Sequence, residues 1–280
     1  MTIRFTKEKQ TFDDYVKTEE IIVRNLTEKK DLISDDFELL PFPFAVLINN
    51  HGVQWVNNFL SNLPTEKRRV VVCQHIWAEH LKLEPQDILC TPHATLNSFS
   101  ISIGHQPVNI DLNFCKNERT IEFSFVGSLG THDCRKKLKQ LFPENVFDPG
   151  VGWGLDKNVP TDIKRNYIQI LGNSNFSLCP RGTGVSTVRL FECMGMGSIP
   201  IIIADGYKLP LSKLIDWENI SISIQESEMN SIPDRIQNFK LRNPNLSEVR
   251  FRINEFFQKY FCDENLHLPI VAELAGNPEY

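Results

Sequence analysis

Arg181, Gly182 and Gly184 form a short loop whose residue types suit the binding of phosphate groups. The apolar residues 175–179 before it predict a buried strand, and a helix is expected to begin near Ser186. The free N–H groups and the positive dipole end of a helix N-terminus attract anions. Glycine lets the backbone approach a ligand closely, and the arginine fork matches phosphate oxygens. The segment therefore predicts a phosphate-binding loop.

Ser186, Arg189 and Glu192 recur three residues apart in the predicted helix. Residues at this spacing share one helix face, so the hydroxyl and the guanidinium are expected near the phosphate end. Glu192 lies about 9 Å beyond Ser186 at ~1.5 Å per residue, where a carboxylate suits ribose hydroxyls. A glycine-rich turn before a helix is also common by itself, and Arg189 with Glu192 equally fits an exposed ion pair. The spacing alone leaves both interpretations open.

Three histidines each follow a predicted strand of the N-terminal half, where open α/β sheets place their ligands. Histidine titrates near neutral pH, which suits a general base. The candidate bases, in order of preference, are His75, His51 and His93, with Glu79 as an alternative one helical turn beyond His75. A purely structural role is the alternative for each of them.

Short apolar runs alternate with helical patterns along the whole chain. Strands without alternating polarity are buried on both faces, so this order predicts parallel sheets covered by helices. The predicted strands are residues 44–48, 69–73, 87–90, 121–126, 175–179, 199–204 and 220–224. The predicted helices are residues 53–63, 133–142, 161–171, 186–196 and 246–260.

The helical and strand patterns disappear near residues 108–118, and we place a linker there. Two domains are therefore expected, an N-terminal acceptor-side domain of residues 1–115 and a C-terminal nucleotide-sugar-binding domain of residues 116–280. The last helix is a candidate to pack back on the N-terminal domain.

The composition excludes several classes of protein. The chain of 280 residues has a formal net charge of -5, which disfavours nucleic acid and anionic membranes as main partners. No apolar run reaches the roughly 20 residues that span a bilayer, and the first residues lack the apolar region of a signal peptide. The seven cysteines show no metal-binding spacing, so we expect reduced thiols in a cytoplasmic protein.

Residues 176–217 resemble the donor-binding core of the exostosin-like glycosyltransferases, glycosyltransferase family 47. That family's pattern is roughly F-x-L-x-P-x-G, then S-x-R-x-x-E-x-x-x-x-G-x-I-P-V-I, then a proline and I-D-W. The matching residues are Phe176, Leu178, Pro180, Gly182, Ser186, Arg189, Glu192, Gly197, Ile199, Pro200, Ile202, Pro210, Ile215, Asp216 and Trp217. Upstream, Phe123, Gly127, Ser128 and Arg135 resemble the family's F-x-G followed by R-x-x-L. The resemblance covers about residues 121–224.

The resemblance implies a GT-B fold, in which two Rossmann-like domains face each other across a cleft. It also implies an enzyme that inverts the anomeric centre without a metal ion or other cofactor, and no Asp-x-Asp pair occurs in the chain. On this basis the diphosphate is assigned to Gly127, Ser128, Arg181, Ser186 and Arg189, with Gly182 and Gly184 in the same loop, and the ribose to Glu192. Arg135 is a further candidate for the phosphates or only a solvated helix residue. Asp205 is a candidate contact of the donor sugar or only a turn residue.

The substrates implied by the resemblance are a UDP-sugar donor and a glycan or glycoprotein acceptor. We expect xylose as the sugar, because Lys208 is the only evident spare cation for a sugar carboxylate. A short member without an anchor suggests a viral or microbial origin, and hence the cytoplasm of a host cell if the source is viral. The alternatives are a nucleotide-sugar-binding protein without catalysis and a nicotinamide-dependent oxidoreductase, although no G-x-G-x-x-G follows the first strand.

Overall fold

The computed structural model describes residues 17–64, 66–115, 118–150 and 159–275. Its strands form two separate sheets, one in each half of the chain, and every strand pair within them is parallel. The predicted α/β class with parallel sheets is therefore confirmed.

The N-terminal sheet has the order β1-β2-β3-β4. Its strands are β1 (Phe37–Leu39), β2 (Arg68–Val72), β3 (Ile88–Thr91) and β4 (Ile101–Ser102). Its helices are α1 (Lys17–Glu28), α2 (Phe44–His51) and α3 (Val53–Ser61). Alternate residues of β2 enter different cores, because successive strand side chains point to opposite faces. Val70 and Val72 pack with α1, whereas Val71 packs with α2 and α3.

The C-terminal sheet has the order β6-β5-β7-β8-β9. Its strands are β5 (Ile121–Val126), β6 (Val146–Phe147), β7 (Ser174–Pro180), β8 (Ile199–Ile203) and β9 (Ile222–Ile224). Its helices are α4 (Asp133–Leu141), α5 (Thr161–Asn173), α6 (Val188–Gly195), α7 (Ile232–Arg242) and α8 (Leu246–Tyr260), and α9 (Leu268–Ala275) follows near the end of the chain. The core of this half is one continuous hydrophobic cluster.

The prediction of a strand at residues 44–48 is wrong, because this segment begins helix α2. Phe44, Ala45, Leu47 and Ile48 are buried, a spacing that one face of a short helix also produces. A short apolar run does not distinguish a buried strand from a buried helix. The first strand of the sheet is β1, which pairs with β2, and His51 consequently ends a helix rather than following a strand.

Helix α6 begins at Val188, two residues later than predicted, and it is buried along most of its length. Arg189 is 4% exposed and Glu192 is 2% exposed. The interpretation of these residues as an ion pair on a wet helix face is therefore wrong. The helix lies inside the protein because it packs against both β8 and α8.

The last segment of the chain joins the two halves. Helix α8 packs against α6 in the C-terminal half. Beyond it, Leu266, Ile270 and Val271 belong to the core that contains α1 and β2. The chain thus returns to the N-terminal half through α9. Within the described residues, no helix is both long and apolar enough to cross a membrane.

Candidate active site

A cleft of about 450 Å³ lies between the carboxyl ends of the two sheets. Its volume falls within the roughly 300–1,000 Å³ that small-molecule sites occupy. The N-terminal wall includes Ala45, Asn49, Gln74, His75, Ile76 and His93. The C-terminal wall includes Ser128, Arg135, Gly182, Gly184, Ser186, Arg189 and Glu192, and the segment that crosses between the halves adds His105 and Asn109.

Two buried arginines dominate the charge of the C-terminal wall. Arg135 donates to three backbone carbonyls, those of Arg181 at 2.9 Å, Ser128 at 3.1 Å and Pro180 at 3.2 Å. Arg189 donates to the carbonyl of Val126, and its guanidinium lies 4.3 Å from the centre of the Phe125 ring. Among the described residues, neither guanidinium has a carboxylate within ion-pair distance.

These two guanidinium groups are suited to bind an anion. Burial, and after it the neighbouring charge of Arg189, lower the pKa of Arg135 to about 9. The Nε of Arg189 is buried and has no hydrogen-bond partner among the described residues. Two like charges in a poorly solvated wall repel each other, and an entering diphosphate would relieve that repulsion. The structure thus places Arg135 and Arg189 together in the cleft wall, and their role in binding a diphosphate stays a prediction.

Gly127 lies behind this wall and does not line the cleft. A Cβ atom at this position would overlap Nη2 of Arg189. The space that the arginine needs therefore explains why a glycine stands at this position.

Arg181 lies outside the cleft, unlike its predicted role. Its guanidinium is 3.8 Å from the carboxylate of Glu226 and 3.3 Å from the carbonyl of Thr183. Only its backbone carbonyl approaches the site, as an acceptor for Arg135. Asp205 is also outside the cleft, where its carboxylate accepts from the backbone N–H of Glu226 at 2.9 Å.

Glu192 is held by two residues that the sequence analysis did not identify. One carboxylate oxygen accepts from the backbone and side-chain N–H groups of Asn109 at 3.0 and 2.8 Å. The other accepts from the hydroxyl of Tyr167 at 2.5 Å, and burial raises the pKa of Tyr167. A carboxylate has about four lone-pair sites, so these bonds leave little room for ribose unless Asn109 moves. Neither Asn109 nor Tyr167 stands in a recognisable motif.

Ser186 joins two histidines across the boundary between the halves. Its hydroxyl lies 2.8 Å from Nδ1 of His93 and 2.7 Å from Nε2 of His105. Burial lowers the pKa of His93 overall, but a ring hydrogen bond to the backbone of Gln74 opposes this, which indicates that Nε2, the other ring nitrogen, carries the proton. Nδ1 then accepts from the Ser186 hydroxyl, which accepts in turn from His105. In this arrangement the hydroxyl has no proton left to donate to phosphate.

The same rule that selected the other histidines could have found His105. It lies just beyond β4, at the carboxyl end of a strand that the sequence analysis did not recognise. A two-residue strand is too short to show a pattern, so this signal is visible only once the sheet is known.

The His93–Ser186–His105 bridge predicts a loss of stability in acid. Burial lowers the pKa of His93 to about 4, whereas an unfolded histidine titrates near 6.5. The folded form therefore binds fewer protons than the unfolded chain, and stability falls as the pH drops from 6.5 towards 4. We expect His93 to contribute about 2 kcal/mol to the loss between pH 6.5 and 5. Urea unfolding of wild type and His93→Gln at pH 7 and pH 5 measures this, and equal losses in both proteins would contradict it.

Gly184 permits close contact between its loop, residues 181–184, and the N-terminal wall of the cleft. A Cβ atom here would overlap the ring of His93 and approach Ile76 to 3.0 Å. We expect Gly184→Ala to push the halves apart and to lower ligand affinity at least tenfold. Gly130→Ala is the matched control, because its Cβ would meet only the Ser128 hydroxyl at an ordinary 3.6 Å. Titration with UDP compares the two variants, and equal affinities would refute the steric role of Gly184.

His75 is the predicted base that the structure places best. It lies at the carboxyl end of β2 and lines the cleft. Its Nε2 is 3.1 Å from the side-chain oxygen of Asn49, and its Nδ1 accepts from the backbone N–H of Trp77 at 3.1 Å. The proton is therefore on Nε2, and Nδ1 is the unprotonated atom. Burial lowers the pKa of His75, which keeps the ring neutral at pH 7.

Two other predicted bases do not line the cleft. His51 is exposed at the end of α2, and its ring stacks on Trp55 at 4.4 Å. The carboxylate of Glu79 accepts from the backbone and hydroxyl of Thr95 and from the hydroxyl of Ser100. Burial alone would raise the pKa of Glu79, but hydrogen bonds from Ser98, Thr95 and Ser100 lower it overall. His93 lines the cleft, but its low pKa makes it a weak base.

Potential metal ligands occur together at one place in the described residues, outside the cleft. The ligand atoms of His132, Cys134 and Glu226 all lie within 4.8 Å of one another. The surroundings do not favour a cation, because Arg181 approaches Glu226 to 3.8 Å and Lys136 borders the same depression. Nδ1 of His132 also already accepts from the backbone N–H of Cys134.

Two Rossmann-like α/β units that face each other across this cleft define the GT-B class, and the predicted fold class is thereby confirmed. The exostosin GT47 domain matches residues 47–239 of the chain. That match covers more than half of the 280 residues. The chain belongs to the exostosin GT47 family, as the resemblance of residues 121–224 indicated.

Individual relatives match only parts of the chain. An exostosin-1 homolog of Caenorhabditis elegans is 32% identical over 94 residues, which are 34% of this chain and 24% of the nematode protein. Exostosin-2 of Bos taurus is 29% identical over 114 residues, 38% of this chain and 16% of the bovine protein. A probable glucuronoxylan glucuronosyltransferase of Arabidopsis thaliana is 32% identical over 164 residues, 57% of this chain and 35% of the plant protein. The matched regions are thus about a third or less of these relatives.

The chain matches solved structures only at low sequence identity and low TM-score. The spinosyn forosaminyltransferase SpnP has a TM-score of 0.38 and 10% identity, covering 75% of this chain and 71% of its own. TarM has a TM-score of 0.40 and 11% identity, covering 81% of this chain and 58% of its own.

Proposed function

We propose that this protein is an inverting glycosyltransferase that moves a sugar from a UDP-sugar to a hydroxyl group of a glycan acceptor. One observation carries the proposal. Two buried arginines, Arg135 and Arg189, line the cleft and have no carboxylate partner in the part of the chain that the structure describes. A neutral histidine, His75, lines the cleft on the opposite half. Family membership supports the same reaction class.

The two walls would share the chemistry of the transfer. Departure of the nucleoside diphosphate leaves negative charge on its oxygens, and the two guanidinium groups supply fixed positive charge there. That charge is what a divalent metal would otherwise provide, which supports a metal-independent reaction. Inversion requires a base that takes the proton of the acceptor hydroxyl as it attacks. His75 would receive the proton on Nδ1, where the acceptor hydroxyl replaces the backbone N–H of Trp77.

We propose UDP-xylose as the donor, with Glu192 accepting from the ribose hydroxyls in place of Asn109, which moves aside. Lys208, the spare cation that a sugar carboxylate would need, donates to the carbonyl of Ser100 at 2.8 Å and does not line the cleft. Glucuronate is the competing sugar, because the Arabidopsis relative is described as a probable glucuronosyltransferase.

Isothermal titration in EDTA tests the proposal with UDP, GDP, UDP-xylose, UDP-glucuronate, UDP-galactose and NADH. We expect UDP and one UDP-sugar to bind, and Glu192→Gln to weaken both at least tenfold. Glu248→Gln is the control because this carboxylate is exposed. Binding of NADH in place of uridine nucleotides would refute the proposal. If a UDP-sugar binds but no UDP is released in the presence of glycan acceptors, the protein is a nucleotide-sugar-binding protein without catalysis. That alternative is supported by the hydrogen bonds that already occupy both ring nitrogens of His75.

A further inference from the structure

The carboxyl group of Glu19 lies buried behind the N-terminal wall of the cleft, and the proposed reaction does not use it. Glu19 lies on helix α1 and is fully buried. Burial raises its pKa to about 8, although hydrogen bonds from the backbone N–H groups of Gln74 and Ala45 oppose this rise. A buried carboxyl group is costly for folding. Its position therefore calls for an explanation other than stability.

The first contact of Glu19 is the beginning of helix α2. Pro43 precedes this helix and provides no side-chain cap. The backbone N–H of Ala45 instead donates to the two carboxylate oxygens of Glu19, at 3.1 and 3.2 Å. Glu19 thus caps α2 from another helix. The helix dipole favours the charged form of Glu19 and so opposes the effect of burial on its pKa. About one turn later, α2 presents Asn49, whose side-chain oxygen contacts Nε2 of His75 at 3.1 Å.

The second contact of Glu19 is the end of strand β2. The backbone N–H of Gln74 donates to the carboxylate at 2.9 Å, and the Glu19 N–H donates to the Gln74 side chain at 3.2 Å. The thiol of Cys73 is a further donor to the carboxylate. Gln74 directly precedes His75 in the chain, so these bonds hold the backbone that carries the imidazole.

We propose that Glu19 is a positioning residue that fixes His75 relative to Asn49. One carboxyl group ties the helix that carries the amide to the strand end that carries the imidazole. The distance between Asn49 and His75 determines both the orientation of the imidazole ring and which of its nitrogens carries the proton. The catalytic part of this inference rests on the proposed role of His75, but the geometric part can be measured without turnover.

Glu19→Gln tests the inference, because glutamine has nearly the same shape but replaces one acceptor oxygen with an NH₂ group. Glu20→Gln is the matched control on the neighbouring, more exposed residue. We expect Glu19→Gln to lower kcat for UDP release from UDP-xylose, UDP-glucuronate or UDP-galactose at least tenfold. The Kd of UDP should stay within about twofold, because the arginines lie on the other wall. Unchanged kcat in Glu19→Gln would overturn the inference.

NMR of ¹³C-labelled histidine gives a second measurement, with the His75 signal assigned by its loss in His75→Asn. We expect the His75 signal and its pKa to shift in Glu19→Gln and to match wild type in Glu20→Gln. If wild type shows no turnover, the proposed function fails. The role of Glu19 is then decided by the NMR titration alone, and an unchanged His75 titration in Glu19→Gln would overturn it. If Glu19→Gln does not fold, Asn49→Ala replaces it, because Asn49 is exposed. A His75 titration unaffected by that variant would also overturn the inference.

Discussion

Arg189→Ala is expected to lower kcat/KM for the UDP-sugar by about three orders of magnitude, the largest effect we predict. The substitution removes a buried guanidinium that lies against Phe125 in the cleft wall. Loss of one donor that stabilises a developing anion typically costs about 10²–10³ in rate, and weaker binding of the ground-state diphosphate adds to it. The Kd of UDP should therefore rise together with the loss of kcat. Steady-state kinetics and titration with UDP measure the two effects.

Arg189→Lys separates charge from geometry. Lysine keeps one positive charge but lacks the planar fork and the stacking of the guanidinium. We expect it to recover at most a tenth of the lost activity. Arg235→Ala is the control, because this exposed arginine pairs with Glu228 at 3.3 Å, away from the cleft. The Arg189 variants also leave the carbonyl of Val126 without its donor, so their thermal unfolding must be compared with wild type. A folded Arg189→Ala variant with wild-type kinetics would refute the anion site.

His75→Ala is expected to lower kcat by about 10²–10⁴, the range that general-base catalysis usually contributes. The Kd of UDP should change little, because His75 lies on the wall opposite the arginines. This separation of kcat from donor affinity distinguishes loss of the base from damage to the donor site. His80→Ala is the control, because His80 is exposed and close in the chain. An unchanged kcat in His75→Ala would exclude this residue as the base.

The pH profile provides a further check on the same residue. Burial lowers the pKa of His75 below the ordinary 6.5. A base must be unprotonated to act, so kcat should rise with pH, with its midpoint below 6.5, and then level off. A midpoint well above 6.5 would indicate that another group accepts the proton.

The sequence by itself determined the class of fold and the family. Runs such as residues 199–204 are apolar at every position, and only a strand covered on both faces requires this. The spacing of Ser186, Arg189 and Glu192, together with the glycines and prolines around them, indicated the GT47 family before any distance was known. The sequence predicted three histidines at strand ends. His51 ends a helix instead, whereas the preferred residue, His75, follows β2 and lines the cleft.

The tertiary structure decided which of these residues can act together. Arg181 stands in the motif, yet its guanidinium lies beside the carboxylate of Glu226 and not in the cleft. The motif could not show this, because Glu226 is 45 residues further along the chain. His105 enters the cleft only because a two-residue strand ends near it, and Glu19 reaches the wall only because α1 packs against β2. Local patterns record which face of an element is buried, because neighbouring residues share that face. Hydrogen bonds between distant segments depend on how the elements pack, and no local pattern encodes that packing.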